Sequence, residues 1–215
     1  MALPLIVDND AILKLTACNL LDEALSLLNC SHPNILVLDT ARHAFRNLRD
    51  KQRPRDIEKY SLSGLERAVA FAENAKPIVN TPNLSIHDLL TDIPNIDPEG
   101  DINIVDKACE LRDAILLTGD KRCIRAIATS NDIRFVYNSL ATRIICFEEV
   151  IRALIIAISF ESVRDAVVPV LACDKVLRSA FGSGMQTTEE NAINVLVAYI
   201  DDLEKITGKN WLRKL

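Results

Sequence analysis

Two short apolar segments of this chain, far apart in sequence, each run into an aspartate. Residues 3–7 lead directly into Asp8, and residues 114–117 lead through Thr118 and a glycine into Asp120. Neighbouring parallel strands lie only about 5 Å apart, so carboxylates at their ends repel each other unless a cation lies between them. If these segments are neighbouring strands, the two aspartates predict a site for a divalent metal ion.

A third carboxylate precedes the second of these segments. The sequence Asp-Pro-Glu-Gly-Asp at residues 97–101 has Asp97 as a good N-cap and Pro98 suited to a first helical position. This pattern predicts a helix beginning there, with Asp101 in its first turn. Asp106 lies five residues further and is rotated by about 140° around a helix. We therefore expect Asp101, rather than Asp106, to face the other two aspartates.

Strand and helix patterns alternate along the first part of the chain. Short apolar runs at residues 3–7, 35–38, 114–117 and 143–147 are typical of strands buried on both faces. The segments between them have helical spacing, which predicts helices at residues 11–28 and 56–74 among others. This alternation predicts an α/β fold with a mostly parallel sheet. After residue 148 helices are predicted at residues 149–172 and 189–206, the second capped by Thr187. We expect one domain at residues 1–150 and a helical extension at 151–215.

Composition narrows the class of protein further. The chain is 49% hydrophobic and carries a net charge of -5, which is typical of a globular domain and excludes a uniformly basic nucleic-acid-coating protein. Six scattered cysteines without metal-binding spacing predict reduced, buried thiols in a cytoplasmic protein. The most apolar segment, residues 151–160, contains Arg152 and is about half as long as a membrane span. No membrane association is therefore expected.

The order of the acidic motifs resembles that of the PIN domain, a family of metal-dependent ribonucleases. The resemblance rests on Asp8-Asn9-Asp10, Gly100-Asp101 and Thr118-Gly119-Asp120, and covers roughly residues 1–150. It implies a three-layer αβα fold, a Mg²⁺ or Mn²⁺ cofactor and an RNA substrate. The positions that match the family's catalytic metal ligands are Asp8, Asp101 and Asp120, with Asp10, Asp39 and Thr118 as accessory residues.

One departure from the family pattern concerns the helix after the second strand. PIN nucleases usually carry a glutamate there, whereas residues 38–46 contain none. Asp39 precedes this helix and is predicted to be its N-cap. His43, on the helix, is interpreted as a packed or surface residue.

Basic residues near these motifs could hold a polyanion. Lys121 and Arg122 directly follow Asp120, and Arg46 lies on the helix after the second strand. We expect these three residues to contact substrate phosphates.

Three functions remain open from the sequence. The leading one is a metal-dependent endoribonuclease that hydrolyses RNA phosphodiesters through metal-activated water. The absent glutamate favours the second, a PIN-like module that binds RNA or protein without cleaving. The third is a DNA nuclease or phosphatase on a similar scaffold. The helical extension predicts either a homodimer interface or a surface for an inhibitor protein of the antitoxin kind.

Overall fold

In the computed structural model, which describes residues 3–30, 32–79 and 84–215, the described residues form a parallel five-stranded sheet flanked by helices. The strand order is β3-β2-β1-β4-β5. The strands are β1 Leu5–Val7, β2 Ile35–Leu38, β3 Lys76–Ile78, β4 Ile115–Thr118 and β5 Ile144–Cys146. The predicted α/β class and three-layer αβα arrangement are confirmed.

The helices separate the strands and continue beyond the last one. They are α1 Asn9–Ala17, α2 Leu21–Leu27, α3 Ala41–Lys51, α4 Pro54–Tyr60, α5 Leu62–Asn74, α6 Leu84–Thr91, α7 Asp101–Glu110, α8 Lys121–Thr129, α9 Arg134–Leu140, α10 Phe147–Ala157, α11 Phe160–Val167, α12 Lys175–Phe181 and α13 Glu189–Thr207. Short 3-10 turns occupy His32–Asn34, Val168–Cys173 and Gly184–Gln186. Within the described ranges, no helix is long and apolar enough to cross a membrane.

The centre of the sheet is fully buried. All three residues of β1 have no solvent exposure, because β2 and β4 flank the strand and helices cover it. A strand enclosed on both faces needs a continuous apolar run rather than an alternating one. This explains why the sequence pattern at residues 3–7 identified the strand.

Two segments with continuous helical spacing are each divided into two helices. The predicted helix at residues 11–28 consists of two helices, α1 and α2, and Asn19 lies between them with φ 54°. The predicted helix at 56–74 is broken at Ser61, whose backbone has φ 55° and whose hydroxyl accepts a hydrogen bond from Gly64 N at 3.0 Å. Both breaks use a left-handed backbone conformation, which apolar periodicity does not reveal.

The start of α7 differs from the prediction in a way that matters for the site. The helix begins at Asp101 with Gly100 at the N-cap position, so the prediction that Asp97 caps it is wrong. Asp97 instead makes a local turn, accepting from Glu99 N at 3.3 Å, and its own N–H donates to the Asp101 carboxylate at 3.0 Å. The turn therefore holds Asp101 at the first position of the helix.

The region after β5 is helical, as predicted, but is more divided than its sequence pattern indicated. The predicted helix at 149–172 consists of α10, α11 and a 3-10 turn that contains Pro169. The last long helix is capped by Thr188, which accepts from Asn191 N at 3.3 Å, so the prediction of Thr187 as the cap is wrong.

The segment after α13 packs along the outer edge of β5. Arg213 N donates to Ile144 O at 2.7 Å, and Thr142 N donates to Trp211 O at 2.7 Å. Trp211 is buried and stacks on Tyr137 with ring centroids 5.0 Å apart. This segment therefore covers an edge that would otherwise expose unpaired backbone groups.

Candidate functional site

The predicted strand neighbours are adjacent in the sheet. β1 and β4 pair in parallel, with Leu5 opposite Ile115 and Val7 opposite Leu117. The chain places β2 and β3 on one side of β1, and β4 and β5 on the other. Ligands of open α/β sheets bind outside the carboxyl ends of the strands where the order reverses in this way. Asp8 and Asp120 follow the two strands that border this crevice.

Asp8 is the most buried of the three predicted metal ligands, with 8% of its surface exposed. It caps α1 by accepting from Asp10 N at 3.3 Å, and its other carboxylate oxygen accepts from the Thr118 hydroxyl at 3.1 Å. Burial raises the pKa of Asp8 from 3.8 to about 6, and the negative charges of Asp10 and Asp101 add to the rise. The hydrogen bonds to its carboxylate oppose the rise without cancelling it.

Asp101 lies at the N-terminus of α7, within electrostatic reach of both other aspartates. Burial raises the pKa of its carboxyl group, and the charges of Asp120 and Asp97 add to this effect although the Asp97 N–H opposes it. The charge of Asp101 in turn raises the pKa of Asp8. The structure therefore brings the predicted third carboxylate to the same crevice.

Asp120 caps α8 and has the opposite pKa shift. Its Oδ1 accepts from the backbone N–H groups of Arg122 at 2.7 Å and Cys123 at 3.2 Å, and its Oδ2 accepts from the Arg122 guanidinium at 3.0 Å. Burial alone would raise the pKa of Asp120, but these hydrogen bonds outweigh it and lower the value. Thr118 connects Asp120 to Asp8, because its hydroxyl oxygen accepts from Asp120 N at 3.0 Å while donating to Asp8.

Cys123 lies among the three carboxylates and was not predicted as a site residue. Burial raises the pKa of its thiol well above the usual value, and the charges of Asp101, Asp120 and Asp8 raise it further. Because the charges of all three aspartates act on this one thiol, the three carboxylates lie near one another in the crevice. Its position in the first turn of α8, after a capping aspartate, was the signal available in the sequence.

Asp10 is held in an ion pair beside the site. Its Oδ2 lies 2.5 Å from Lys14 Nζ, which also contacts Asp174 at 2.7 Å. Lys14 is buried, with its ammonium 5.2 Å from the centre of the Phe147 ring. Burial would lower the pKa of Lys14, but the charges of Asp10 and Asp174 raise it above its usual value. The lysine thus joins the N-terminal part of the site to the helical extension.

Gly119 packs directly against this ion pair. A Cβ at this position would collide with the Asp10 carboxylate and lie 3.2 Å from Lys14 Nζ. The loop between Thr118 and Asp120 can approach so closely only because residue 119 has no side chain.

The predicted phosphate-binding residues have different surroundings. Lys121 forms an ion pair with the buried Glu148 and lies 5.8 Å from the centre of the Tyr199 ring. The Nε of Arg46 donates a hydrogen bond to Glu73 Oε1 on α5, at a distance of 2.9 Å. The side chain of Arg122 is 80% exposed and contacts Asp120 directly.

Asp39, predicted as an accessory residue, lies at the end of β2. It is exposed and forms an ion pair with Arg42 at 3.1 Å. Thr40 occupies the N-cap position of α3 and makes no side-chain capping bond, so the prediction that Asp39 caps this helix is wrong.

The donor chemistry of the crevice fits a hard divalent cation, but the ligands are not assembled around one point. Mg²⁺ and Mn²⁺ prefer carboxylate oxygens, which Asp8, Asp101 and Asp120 supply. Among the described residues, however, no group of three or more acidic, histidine or cysteine side chains is already arranged to hold an ion. Asp120 is turned towards Arg122, and Asp101 towards the Asp97 N–H. Side-chain rotation would have to precede binding by all three.

Comparison with known proteins adds no relative. No family model, curated protein or solved structure matches the chain. Its function must therefore be inferred from its own side chains and their surroundings.

Proposed function

We propose that the protein is a metal-dependent endoribonuclease of PIN type that hydrolyses RNA phosphodiesters with Mg²⁺ or Mn²⁺ bound by Asp8, Asp101 and Asp120. The supporting observation is the convergence of these aspartates at the reversal point of a parallel sheet, where the charge of Asp101 raises the pKa of Asp8, the charge of Asp120 raises that of Asp101, and all three raise that of the Cys123 thiol. A divalent cation relieves this kind of repulsion. Strongly perturbed carboxylates in a crevice are candidates for function.

The helices around the crevice favour an anionic substrate. α1, α7 and α8 begin at or directly after Asp8, Asp101 and Asp120, so their positive N-terminal ends lie next to these residues. Helix N-termini attract phosphate groups through the helix dipole and their N–H groups, although first-turn N–H groups of α1 and α8 already donate to Asp8 and Asp120. This arrangement offsets part of the repulsion between a polyanion and three aspartates.

The side chains around the crevice have distinct tasks in the proposed reaction. A bound cation would polarise the phosphate and activate a water molecule. Thr118 orients Asp8 through its hydroxyl, and the same oxygen fixes the loop that carries Asp120. The guanidinium of Arg122 is exposed beside Asp120. It can donate two parallel hydrogen bonds to the oxygens of a phosphate group.

An RNA-cleavage assay tests this proposal. Purified protein is incubated with labelled single-stranded RNA in Mn²⁺ or Mg²⁺, in EDTA, and as the Asp120→Asn variant. We expect EDTA to abolish cleavage and Asp120→Asn to reduce it by about 100-fold or more, since even partners of metal ligands contribute 10- to 100-fold. Asp165→Asn, at an exposed acid on α11, is the matched control and should retain full activity. Cleavage that persists in EDTA would exclude the metal-dependent mechanism.

A non-cleaving PIN-like module that binds RNA or protein is the second candidate. It is favoured by the absence of a glutamate on α3 and by the partners that already hold Asp101 and Asp120. Calorimetric titration with Mn²⁺ separates the two candidates. Binding that Asp120→Asn weakens supports the nuclease, whereas no binding supports the module. Single- and double-stranded DNA substrates and a phosphomonoester test the DNA nuclease and the phosphatase.

A further inference from the structure

A cavity of about 500 Å³ lies between the turn at residues 92–95 and α8. Its volume falls within the range of about 300–1,000 Å³ that is usual for small-molecule sites. Arg122 and Arg125 both line it, and their spacing of three places them on the same face of the helix. The cavity therefore has two guanidinium groups on one wall.

Arg122 connects this cavity to the candidate metal ligands. Its guanidinium donates to Asp120 at 3.0 Å, and it also lines the cavity. A ligand in the cavity would consequently lie next to the crevice that Asp8, Asp101 and Asp120 share. Because the side chain of Arg122 is mostly exposed, it can leave Asp120 for a ligand without opening the core.

Arg125 has hydrogen-bonding capacity to spare. One terminal nitrogen pairs with Asp202 on α13, and the buried Nε has no hydrogen-bond partner among the described residues, while the side chain as a whole is 43% exposed. A guanidinium carries five N–H donors in a planar fork that matches phosphate oxygens. Arg125 can therefore contact a phosphate while it keeps its ion pair with Asp202.

The other polar groups of the cavity suit a whole nucleotide better than a free phosphate. Asp92 and Asp132 also line it, so its charge is mixed rather than basic. Carboxylates accept hydrogen bonds from the amino groups of bases, and single-stranded RNA exposes these base edges to proteins. A nucleotide offers an acceptor to the arginines and donors to the aspartates.

We propose that this cavity is a subsite for one nucleotide of the RNA strand, adjacent to the nucleotide at the carboxylates, with its phosphate bound by Arg122 and Arg125. This inference rests on the proposed function, since it assumes that RNA is the substrate. It adds Arg125, three residues after Arg122 on α8, to the binding surface.

The test measures RNA binding without cleavage. Fluorescence anisotropy follows a labelled single-stranded RNA of roughly 12 nucleotides, a length within the usual range of single-strand sites, in EDTA. We expect Arg125→Ala and Arg122→Ala each to weaken binding several-fold and to lower the slope of log K against log salt by about 0.7, the value for one phosphate contact on a single strand. Arg112→Ala is the control, because this exposed arginine precedes β4 and so lies at the amino-terminal end of the strands, opposite the crevice.

The results distinguish failure of the subsite from failure of the nuclease. If the wild type binds RNA and both cavity variants bind equally well with an unchanged salt slope, the subsite is refuted, whatever the cleavage assay gives. A wild type that fails to bind RNA also refutes it. If binding depends on Arg125 but no cleavage occurs in Mn²⁺, the subsite stands and the nuclease proposal fails. Arg125→Gln, of similar size but uncharged, repeats the measurement should the alanine variant fold poorly.

Discussion

Replacing Asp8 by asparagine should make the protein more stable at neutral pH. Burial and two neighbouring carboxylates raise the pKa of Asp8 from 3.8 to about 6, so the ionised form is disfavoured in the folded state. Asparagine has the same shape without the charge and can still accept the capping hydrogen bond from Asp10 N. The substitution thus removes the electrostatic cost of keeping Asp8 ionised, which is the form that would bind a metal ion.

The magnitude follows from linkage between proton binding and folding. Each pKa unit corresponds to about 1.4 kcal/mol, so ionisation of Asp8 costs the folded state about 3 kcal/mol at pH 7.5. The Asp8 carboxyl group binds its proton more tightly in the folded state than in the unfolded state. The stabilisation from this bound proton is therefore complete below pH 3.8 and is lost as pH rises through about 6. At pH 4.5 the loss of folding stability is about 2 kcal/mol smaller than at pH 7.5. The stability advantage of Asp8→Asn over the wild type should therefore depend on pH.

Urea unfolding in EDTA at pH 4.5 and pH 7.5 measures this advantage. We expect the stability difference between Asp8→Asn and the wild type to grow by about 2 kcal/mol between these pH values, or by roughly 4 to 8 °C in Tm. Asp165→Asn, on the exposed surface of α11, should show no such growth. A difference independent of pH would refute the reasoning. Adding Mn²⁺ should stabilise the wild type and leave Asp8→Asn nearly unchanged.

The ion pairs beside the site give further predictions. Gly119→Ala should destabilise the protein by about 1 kcal/mol in urea unfolding, because the added methyl group displaces the Asp10 carboxylate from its ion pair with Lys14. Lys14→Met should cost about 3 to 5 kcal/mol by leaving the buried Asp174 carboxylate without its cation. The double variant with Asp174→Asn, which keeps the helix cap, should regain part of that loss; no recovery would show that the charge is not the cause.

Four of the five described strands and the two strand-ending aspartates were predictable because their signals are local, whereas β3, with its exposed Lys76 and Pro77, has no continuous apolar run. A continuous apolar run that stops at Asp8 or Asp120 indicates a buried strand and its carboxyl end without knowledge of the rest of the fold. The breaks at Asn19 and Ser61 were not predictable, because each depends on a single left-handed residue within an otherwise helical pattern. The short turn before Asp101 was not predictable either, because its residues are ones that also favour the start of a helix.

The ion pairs around the site depend on tertiary structure and were missed. Asp174 meets Lys14 only after the helical extension has folded onto α1, and no spacing in the sequence reports that contact. Lys121, which was predicted to bind phosphate, forms an ion pair with Glu148, and this contact also depends on the tertiary structure. Neither pair could be read from charge clusters, since the partners are widely separated along the chain.

The pairing of β1 with β4 also bears on the order in which the protein folds. Leu5 meets Ile115, about 110 residues later, so closing this contact carries a larger loop-entropy cost than pairing β1 with β2. An intermediate that contains only β1, β2 and β3 would hold Asp8 but lack the other two aspartates. If the complete set of ligands assembles after the rate-limiting step, a bound cation should slow unfolding while leaving the refolding rate unchanged.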